Sequence, residues 1–395
     1  MKKITIACLF ILTGILCFAA SEELEMYTYL YSNSRTHEDQ LMLLQGMEEM
    51  KISGAGEFYA NALARLVSDY PNIRSGTAEK FYAENQAILL AGLVGREKYA
   101  DAADNLWKTV ESFADPLVKA EALMSLGKIR AAQFLPRVIR VLNDLNQSPP
   151  RDRLNGERIA FGAIISLEKY GDISGYLPVY FASKGWYNER VKSQAIRSLQ
   201  VISADPTEPM INLIKSAAYD YETKFAALQA INAADVSKES KSRTALAAFT
   251  EGWGSNSTDT RLRGILNSIR KLSMSMIREN GCSDNAVYGL LERSYKQFAD
   301  RNDGERDEAI DAIITLRSLA TVEAVDKLSA FLTTINDKLQ YGTHTRKDED
   351  LAREIIPAIG AAGQANGRRV LNTVNSLNWT PAVKRQAQEA LEQLP

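Results

Sequence analysis

The chain has 395 residues, of which 45% are hydrophobic and 24% are charged. These proportions are typical of folded proteins and argue against wholesale disorder and against a polytopic membrane protein. The formal net charge is −2 and no long block of one sign occurs, so the broad positive field that attracts nucleic acid is missing. Only 11 prolines and 23 glycines are present, which favours helices over the many turns of an all-β fold.

The first twenty residues have the pattern of a signal peptide. Two lysines precede an apolar run at residues 4–18, and three small residues at 19–21 lead into an acidic stretch. We therefore expect export, most simply to the periplasm. Cys17 lies close to the expected cleavage point, so a lipid anchor is the alternative, although Leu16 is not the small residue that lipoprotein signals usually place before the cysteine. No later apolar run reaches about 18 residues, so we expect no integral membrane span in the mature chain.

The next part of the chain, up to residue 114, predicts two divergent pairs of amphipathic helices. Their apolar residues recur at helical spacing, but they lack the motifs of the later repeats. The predicted helical segments are 36–50, 57–70, 77–93 and 98–113. Before them, Tyr27, Tyr29 and Tyr31 alternate in the sequence, which indicates either an extended segment or a cap packed on the first helices.

The clearest repeat unit begins at Asp115. Pro116 follows it in the first helical turn, where proline is tolerated, and apolar residues then form one stripe along a helix that reaches residue 129. A second amphipathic helix is predicted over residues 134–142. The unit therefore consists of two short helices within about 40 residues, which is the size of a helical repeat.

One element of this unit, Ala-x-x-x-Leu, recurs along the chain. Its members are Ala122/Leu126, Ala163/Leu167, Ala195/Leu199, Ala227/Ile231, Ala312/Leu316, Ile355/Ile359 and Ala387/Leu391, with Ser268/Leu272 as a degenerate member. The ordered set, which includes an Asp-Pro start, Val-Lys pairs and Leu-Pro entries to second helices, resembles the HEAT repeat. The subclass that it resembles is the one found in phycobilin lyases. We interpret Gly127, Gly171 and Gly360 as helix C-caps.

The resemblance implies an all-α fold, an α-solenoid (superhelix) of about nine antiparallel helix pairs. The predicted organisation has five segments. These are a signal peptide at 1–20, divergent helix pairs at 21–114, HEAT-like repeats at 115–251, a degenerate repeat or insertion with a flexible loop at 252–302, and C-terminal HEAT-like repeats with a cap at 303–395.

Motifs that would indicate catalysis or metal binding are missing from the sequence. The two histidines, His37 and His344, lie in neither a nucleophile elbow nor a zinc-binding motif. The glycines of 92–95 and 360–363 follow helical patterns and not strands, so they predict C-caps and not phosphate loops. The acidic run at 300–308 fails the register of an EF-hand, and we interpret Asp303 as a helix N-cap. We predict no catalytic, cofactor-binding or metal-binding residue.

Aromatic residues concentrate in a single repeat. They are Tyr176, Tyr180, Phe181, Trp186 and Tyr187. Such residues are enriched where proteins bind each other, so they are the candidate partner surface, while packing between repeats is the alternative. We predict a non-enzymatic scaffold of the cell envelope that binds a protein partner along a solenoid surface. The alternatives are a structural subunit of a large envelope machine, and a HEAT-type lyase or chaperone-like holder.

Overall fold

The computed structural model describes residues 22–255, 258–301 and 306–395. In these ranges the protein is all-α, with 20 α-helices, short 3-10 turns and no strand. The contacts between Cα atoms divide it into two compact units, the first ending at Ala204 and the second beginning at Asp205. The predicted signal peptide and the predicted N-cap Asp303 lie outside the described residues. Among those that are described, no helix is both long enough and apolar enough to cross a membrane.

Unit 1 contains the first ten helices. Their bounds are α1 22–33, α2 His37–Glu49, α3 Gly56–Asp69, α4 Ala78–Glu97, α5 Ala103–Ser112, α6 Pro116–Lys128, α7 Leu135–Gln147, α8 Arg153–Tyr170, α9 Tyr176–Lys184 and α10 Glu189–Ile202. The four helices predicted before residue 114 are confirmed as α2 to α5. Asp115 is the N-cap of α6, as its place before Pro116 predicts, and its carboxylate accepts hydrogen bonds from two backbone amides of the first turn.

Residues 22–33 form a helix, so the extended alternative for the three N-terminal tyrosines is wrong. Tyr31 is buried and packs edge-on against Phe58 of α3. The Tyr27 hydroxyl donates to the sulfur of Met50 at 3.2 Å, whereas Tyr29 is largely exposed. Helix α1 therefore packs where α2 ends and α3 begins. This agrees with the prediction that the tyrosine segment is a cap packed on the first helices.

In unit 1 alternate helices pack against each other. Contacts run from α2 to α4, α6, α8 and α10 in one row, and from α3 to α5 and from α7 to α9 in a second row. The alanines of the Ala-x-x-x-Leu element at 122, 163 and 195 are fully buried in the first row. Their small side chains let neighbouring helices approach closely, and the leucines that follow fill the remaining space.

Four of the predicted C-cap glycines are wrong. Gly92 and Gly95 lie inside α4, Gly127 inside α6 and Gly360 inside α18. A Cβ atom on Gly127 would lie 2.6 Å from the Cα of Ser166 in α8, so this glycine is required by a close approach of two helices and not by a turn. Gly171 is a true C-cap in the left-handed conformation, with φ 64°.

Unit 2 contains the other ten helices. They are α11 Thr207–Lys215, α12 Tyr221–Ala233, α13 Lys238–Glu251, α14 Thr260–Asn280, α15 Ala286–Phe298, α16 Arg306–Leu319, α17 Val322–Gln340, α18 Arg346–Ala362, α19 Arg368–Ser376 and α20 Pro381–Glu392. Again two rows form: α12, α14, α16, α18 and α20 contact in sequence, as do α11, α13, α15, α17 and α19.

The region that matched the repeat poorly is a regular member of these rows. Helix α14 contacts α12 and α16, and helix α15 contacts α13 and α17. The predicted anchor Ser268/Leu272 is shifted by one position, because Ile269 and Ser273 are buried whereas Ser268 and Leu272 are only half-buried. The adjoining loop is described only in part, since residues 256–257 lie outside the described ranges.

Candidate functional site

The aromatic residues predicted as a partner surface are mostly inside unit 1. Tyr176, Tyr180 and Tyr187 expose 6%, 5% and 2% of their surface. Burial raises the pKa of the Tyr176 hydroxyl to about 12, because the charged form would lose its hydration. Phe181 and Trp186 are half-buried. Little of this group is therefore available to a partner.

Hydrogen bonds connect part of the aromatic group to α7. The Trp186 indole donates to the carbonyl oxygen of Leu145 at 2.8 Å, and the Tyr187 hydroxyl donates to Oδ1 of Asn146 at 2.9 Å. The Asn146 amide in turn donates to the carbonyl oxygen of Pro178 at 2.9 Å. These bonds join the end of α7 to α9 and to the segment before α10. They agree with the alternative interpretation, in which these residues pack between repeats.

A large open groove lies elsewhere in unit 1. Its volume is about 920 Å³, and helices α4 and α6 contribute most of its lining. The lining residues are Glu48, Ile88, Leu89, Gly92, Gly95, Arg96, Lys98, Glu121, Gly127, Lys128, Ile129, Arg130 and Lys169. Five of these side chains are basic and two are acidic, so the groove has an excess of three positive charges although the whole chain is slightly negative.

Three of the basic residues occupy matching places in successive helices. Arg96, Lys128 and Lys169 each lie in the last turn, of α4, α6 and α8 respectively. A positive charge there is favoured by the partial negative charge of a helix C-terminus. Because alternate helices pack side by side, the repeat of this position places the three cations in one row.

The cations of the row already have carboxylate neighbours, but these pairs are weak. Arg96 pairs with Glu48, and the Lys128 ammonium lies 3.0 Å from a carboxylate oxygen of Glu121. Lys169 pairs with its neighbour Glu168 at 3.1 Å. The basic side chains are 34 to 52% exposed, and an ion pair in such a setting contributes roughly 0 to 1 kcal/mol. A ligand carboxylate can therefore replace these partners at little cost.

Two further basic residues of the groove adopt a backbone conformation that favours glycine. Lys98, the C-cap of α4, and Arg130, two residues after the end of α6, both have φ 52°. A residue with a Cβ atom is strained in this region by about 1 kcal/mol or more relative to glycine. The C-cap of α8, which corresponds to Lys98 after α4, is Gly171. Two basic side chains of the groove therefore lie at positions where glycine would be more stable.

Unit 2 has a groove of the opposite sign. Its volume is about 1310 Å³, and Cys282 lies in its lining. The lining includes the acidic residues Glu208, Glu239, Glu251 and Asp284 and the basic residues Lys215 and Arg243. The groove of unit 2 therefore has an excess of two negative charges, whereas that of unit 1 is positive.

The two histidines lie in different units, His37 at the start of α2 in unit 1 and His344 just before α18 in unit 2. His37 contacts the buried amide of Gln86, with 2.8 Å between Nδ1 and Oε1, and lies 3.6 Å from a carboxylate oxygen of Glu79. His344 packs edge-on near Trp379. Across the part of the chain that the structure describes, no group of three or more His, Cys, Asp and Glu side chains could hold a metal ion.

Reasoning from the sequence missed both grooves, because single basic residues at helix ends are common. The signal that could have found the positive groove is the spacing of its basic residues. Arg96, Lys128 and Lys169 are separated by 32 and 41 residues, and the anchor alanines at 122 and 163 are also separated by 41.

No family model matches the chain, and no curated protein is significantly similar to it.

Proposed function

We propose that the protein is a non-catalytic, exported α-solenoid scaffold of the HEAT type, with about nine helix pairs. In this proposal it binds an acidic segment of a partner protein along the positive groove of unit 1. The row formed by Arg96, Lys128 and Lys169 is the observation that carries the proposal. Successive repeats that present the same charge at the same place make an extended binding surface, which is how helical repeat proteins hold their partners.

The shape of the groove also suits a polypeptide better than a small substrate. It is open to solvent, and its lining comes from four successive helices of one row, α2, α4, α6 and α8. Ile88 and Leu89 add apolar surface beside the charges, so an amphipathic acidic segment could bury its apolar face while its carboxylates meet the cations. The predicted signal peptide supports a partner in the cell envelope.

Neutralisation of the row tests this function. Full-length protein in which Arg96, Lys128 and Lys169 are all replaced by Gln is used to capture proteins from an envelope extract. We expect the acidic partner to be lost, with affinity about tenfold lower, since each exposed ion pair contributes roughly 0.5 kcal/mol. Binding by the wild type should also weaken as salt is raised.

The chain offers a matched control in the second row of the same unit. Lys108, Arg140 and Lys184 lie on α5, α7 and α9, and all three are exposed. Their replacement by Gln removes the same charge and should leave capture unchanged. Equal loss in both triple variants would show that net charge and not the groove matters. Recovery of small molecules without any protein partner would contradict the proposed function.

One observation favours the alternative of a structural subunit. Because the groove of unit 1 is positive and that of unit 2 is negative, one copy of the chain could bind another through oppositely charged surfaces. Light scattering after size exclusion distinguishes the two functions. A subunit should form assemblies at low salt that dissociate at high salt, whereas a scaffold for another protein stays monomeric in both.

A further inference from the structure

A second positively charged cavity lies in unit 2, between the end of α13, α14 and α15. Its volume is about 430 Å³. It is lined by Trp253, Ser255, Thr258, Arg263, Leu266, Arg270, Arg293, Gln297, Phe298 and Arg301. Four of these ten residues are arginines, three others have hydroxyl or amide groups, and none is acidic. These residues offer an anion hydrogen-bond donors and positive charge.

Arg270 forms the base of this cavity and has its charge neutralised inside the protein. Its guanidinium makes two hydrogen bonds to the carboxylate of Glu308, at 2.6 and 3.0 Å, and a third to the carbonyl oxygen of Gly252 at 2.9 Å. Glu308 is fully buried and also accepts from Ser294 at 3.2 Å. Arg270 is therefore a structural residue that fixes one wall of the cavity.

The wall that Arg270 fixes is the indole of Trp253. The guanidinium of Arg270 lies 4.5 Å from the ring centroid, and that of Arg293 lies 4.4 Å from it. Phe298 stacks nearby, with 5.9 Å between the centroids. Contacts of this kind orient an arginine without neutralising it, so Arg293 is held at the cavity with its charge intact. The indole nitrogen of Trp253 is buried with no acceptor in the described parts of the chain.

Arg293 and Arg263 are the cations available to a ligand. Both are exposed, and neither has a carboxylate partner among the described residues. They come from different helices, α15 and α14, and both line the same cavity. An arginine presents a planar fork of donors that matches the oxygens of a phosphate, and two forks from different helices favour a ligand with more than one negative charge.

We propose that this cavity binds a phosphate group carried on a small organic molecule or on a lipid headgroup. Guanidinium groups from two helices favour a ligand with two negative charges, such as a phosphate, over a singly charged carboxylate. The volume is in the range of pockets that hold small organic ligands and exceeds what inorganic phosphate needs, so the phosphate should be attached to a larger group. The site is independent of the groove in unit 1, because all of its residues belong to unit 2.

Titration calorimetry on the full-length protein tests the site with defined probes. These are inorganic phosphate, glycerol 3-phosphate and acetate, and in a separate flotation assay vesicles of phosphatidylglycerol or of phosphatidylcholine. We expect glycerol 3-phosphate to bind more tightly than inorganic phosphate, and acetate not to bind. Binding to phosphatidylglycerol vesicles but not to phosphatidylcholine would identify a headgroup as the source, whereas binding in solution alone would identify a soluble phosphate.

The double replacement of Arg263 and Arg293 by Gln should weaken the binding of glycerol 3-phosphate by about tenfold or more, because charge-assisted hydrogen bonds are lost. The control replaces Arg369 and Arg385, which are exposed on α19 and α20, and should bind as the wild type does. The proposal is overturned if no phosphate probe binds the wild type, if acetate binds equally well, or if the double variant keeps its affinity. An equal loss in the control would also overturn it.

Discussion

The close contact between α6 and α8 makes a sharp prediction for Gly127→Ala. A methyl group at this position would meet the Cα and the carbonyl oxygen of Ser166, both at 2.6 Å. These are backbone atoms, so no side-chain rotation relieves the overlap. Carbon atoms in contact normally lie about 3.5 to 4.0 Å apart, and the helices would have to separate by about 1 Å.

The expected loss follows from two opposing effects. Overpacking of a tight core usually costs about 1 to 3 kcal/mol, and alanine in place of glycine within a helix gains roughly 0.8 to 1.0 kcal/mol. Because the clash involves backbone on both helices, we place its cost at the upper end of that range. The free energy of unfolding should therefore fall by about 1 to 2 kcal/mol in Gly127→Ala.

Urea unfolding followed by circular dichroism measures this difference, with Gly92→Ala as the control. Gly92 also lies inside a helix of unit 1, but a methyl group there would meet only the end of the Glu121 side chain, at 3.3 Å. The control should therefore be as stable as the wild type or slightly more stable. If Gly127→Ala were equally stable, glycine would not be needed for the close approach, and our explanation of the helix spacing would be refuted.

Three further results are expected. Lys98→Gly should raise the free energy of unfolding by about 1 kcal/mol, because it relieves the left-handed backbone, and should weaken partner binding in the capture assay. Burial acts to raise the pKa of Asp348, but hydrogen bonds from Lys338 and from the N-cap of α18 outweigh it and lower the pKa. Asp348→Asn should therefore cost roughly 1 to 2 kcal/mol in urea unfolding at neutral pH, and the difference should vanish as the pH falls below the usual aspartate range. Tyr187→Phe, which loses the bond to Asn146, should cost about 1 kcal/mol in the same unfolding assay and leave partner capture unaffected.

Local signals in the sequence were enough to predict most helices. Asp115 followed by Pro116 marks a helix start because a carboxylate can accept from the free amides of the first turn and proline lacks an amide hydrogen that would need a partner there. Asp115 accepts from two of these amides, and Pro116 is the first residue of α6. The burial of the anchor alanines at 122, 163 and 195 also followed from periodicity, since one stripe of each helix must face the core.

The glycines show where such signals end. A glycine after a helical stripe has the same sequence pattern whether it ends the helix, as Gly171 does, or admits a neighbouring helix, as Gly127 does. Only the position of α8 separates the two cases, and that position depends on contacts distant in sequence. The aromatic group has the same ambiguity: Tyr187 is nearly fully buried, and its hydroxyl donates to Asn146, which is 41 residues away in the sequence.

Charge patterns depend even more on the packing of distant segments. Arg263 and Arg293 are 30 residues apart and belong to different helices, so nothing in their sequence context joins them. They line one cavity because α14 and α15 both pack against α13, and the indole of Trp253, which Arg270 contacts, lies in the same lining. A buried ion pair is weak evidence for stability, since its partners lose their hydration. The pair of Arg270 and Glu308 is therefore better understood as the support of the Trp253 wall of the proposed phosphate site than as a source of stability.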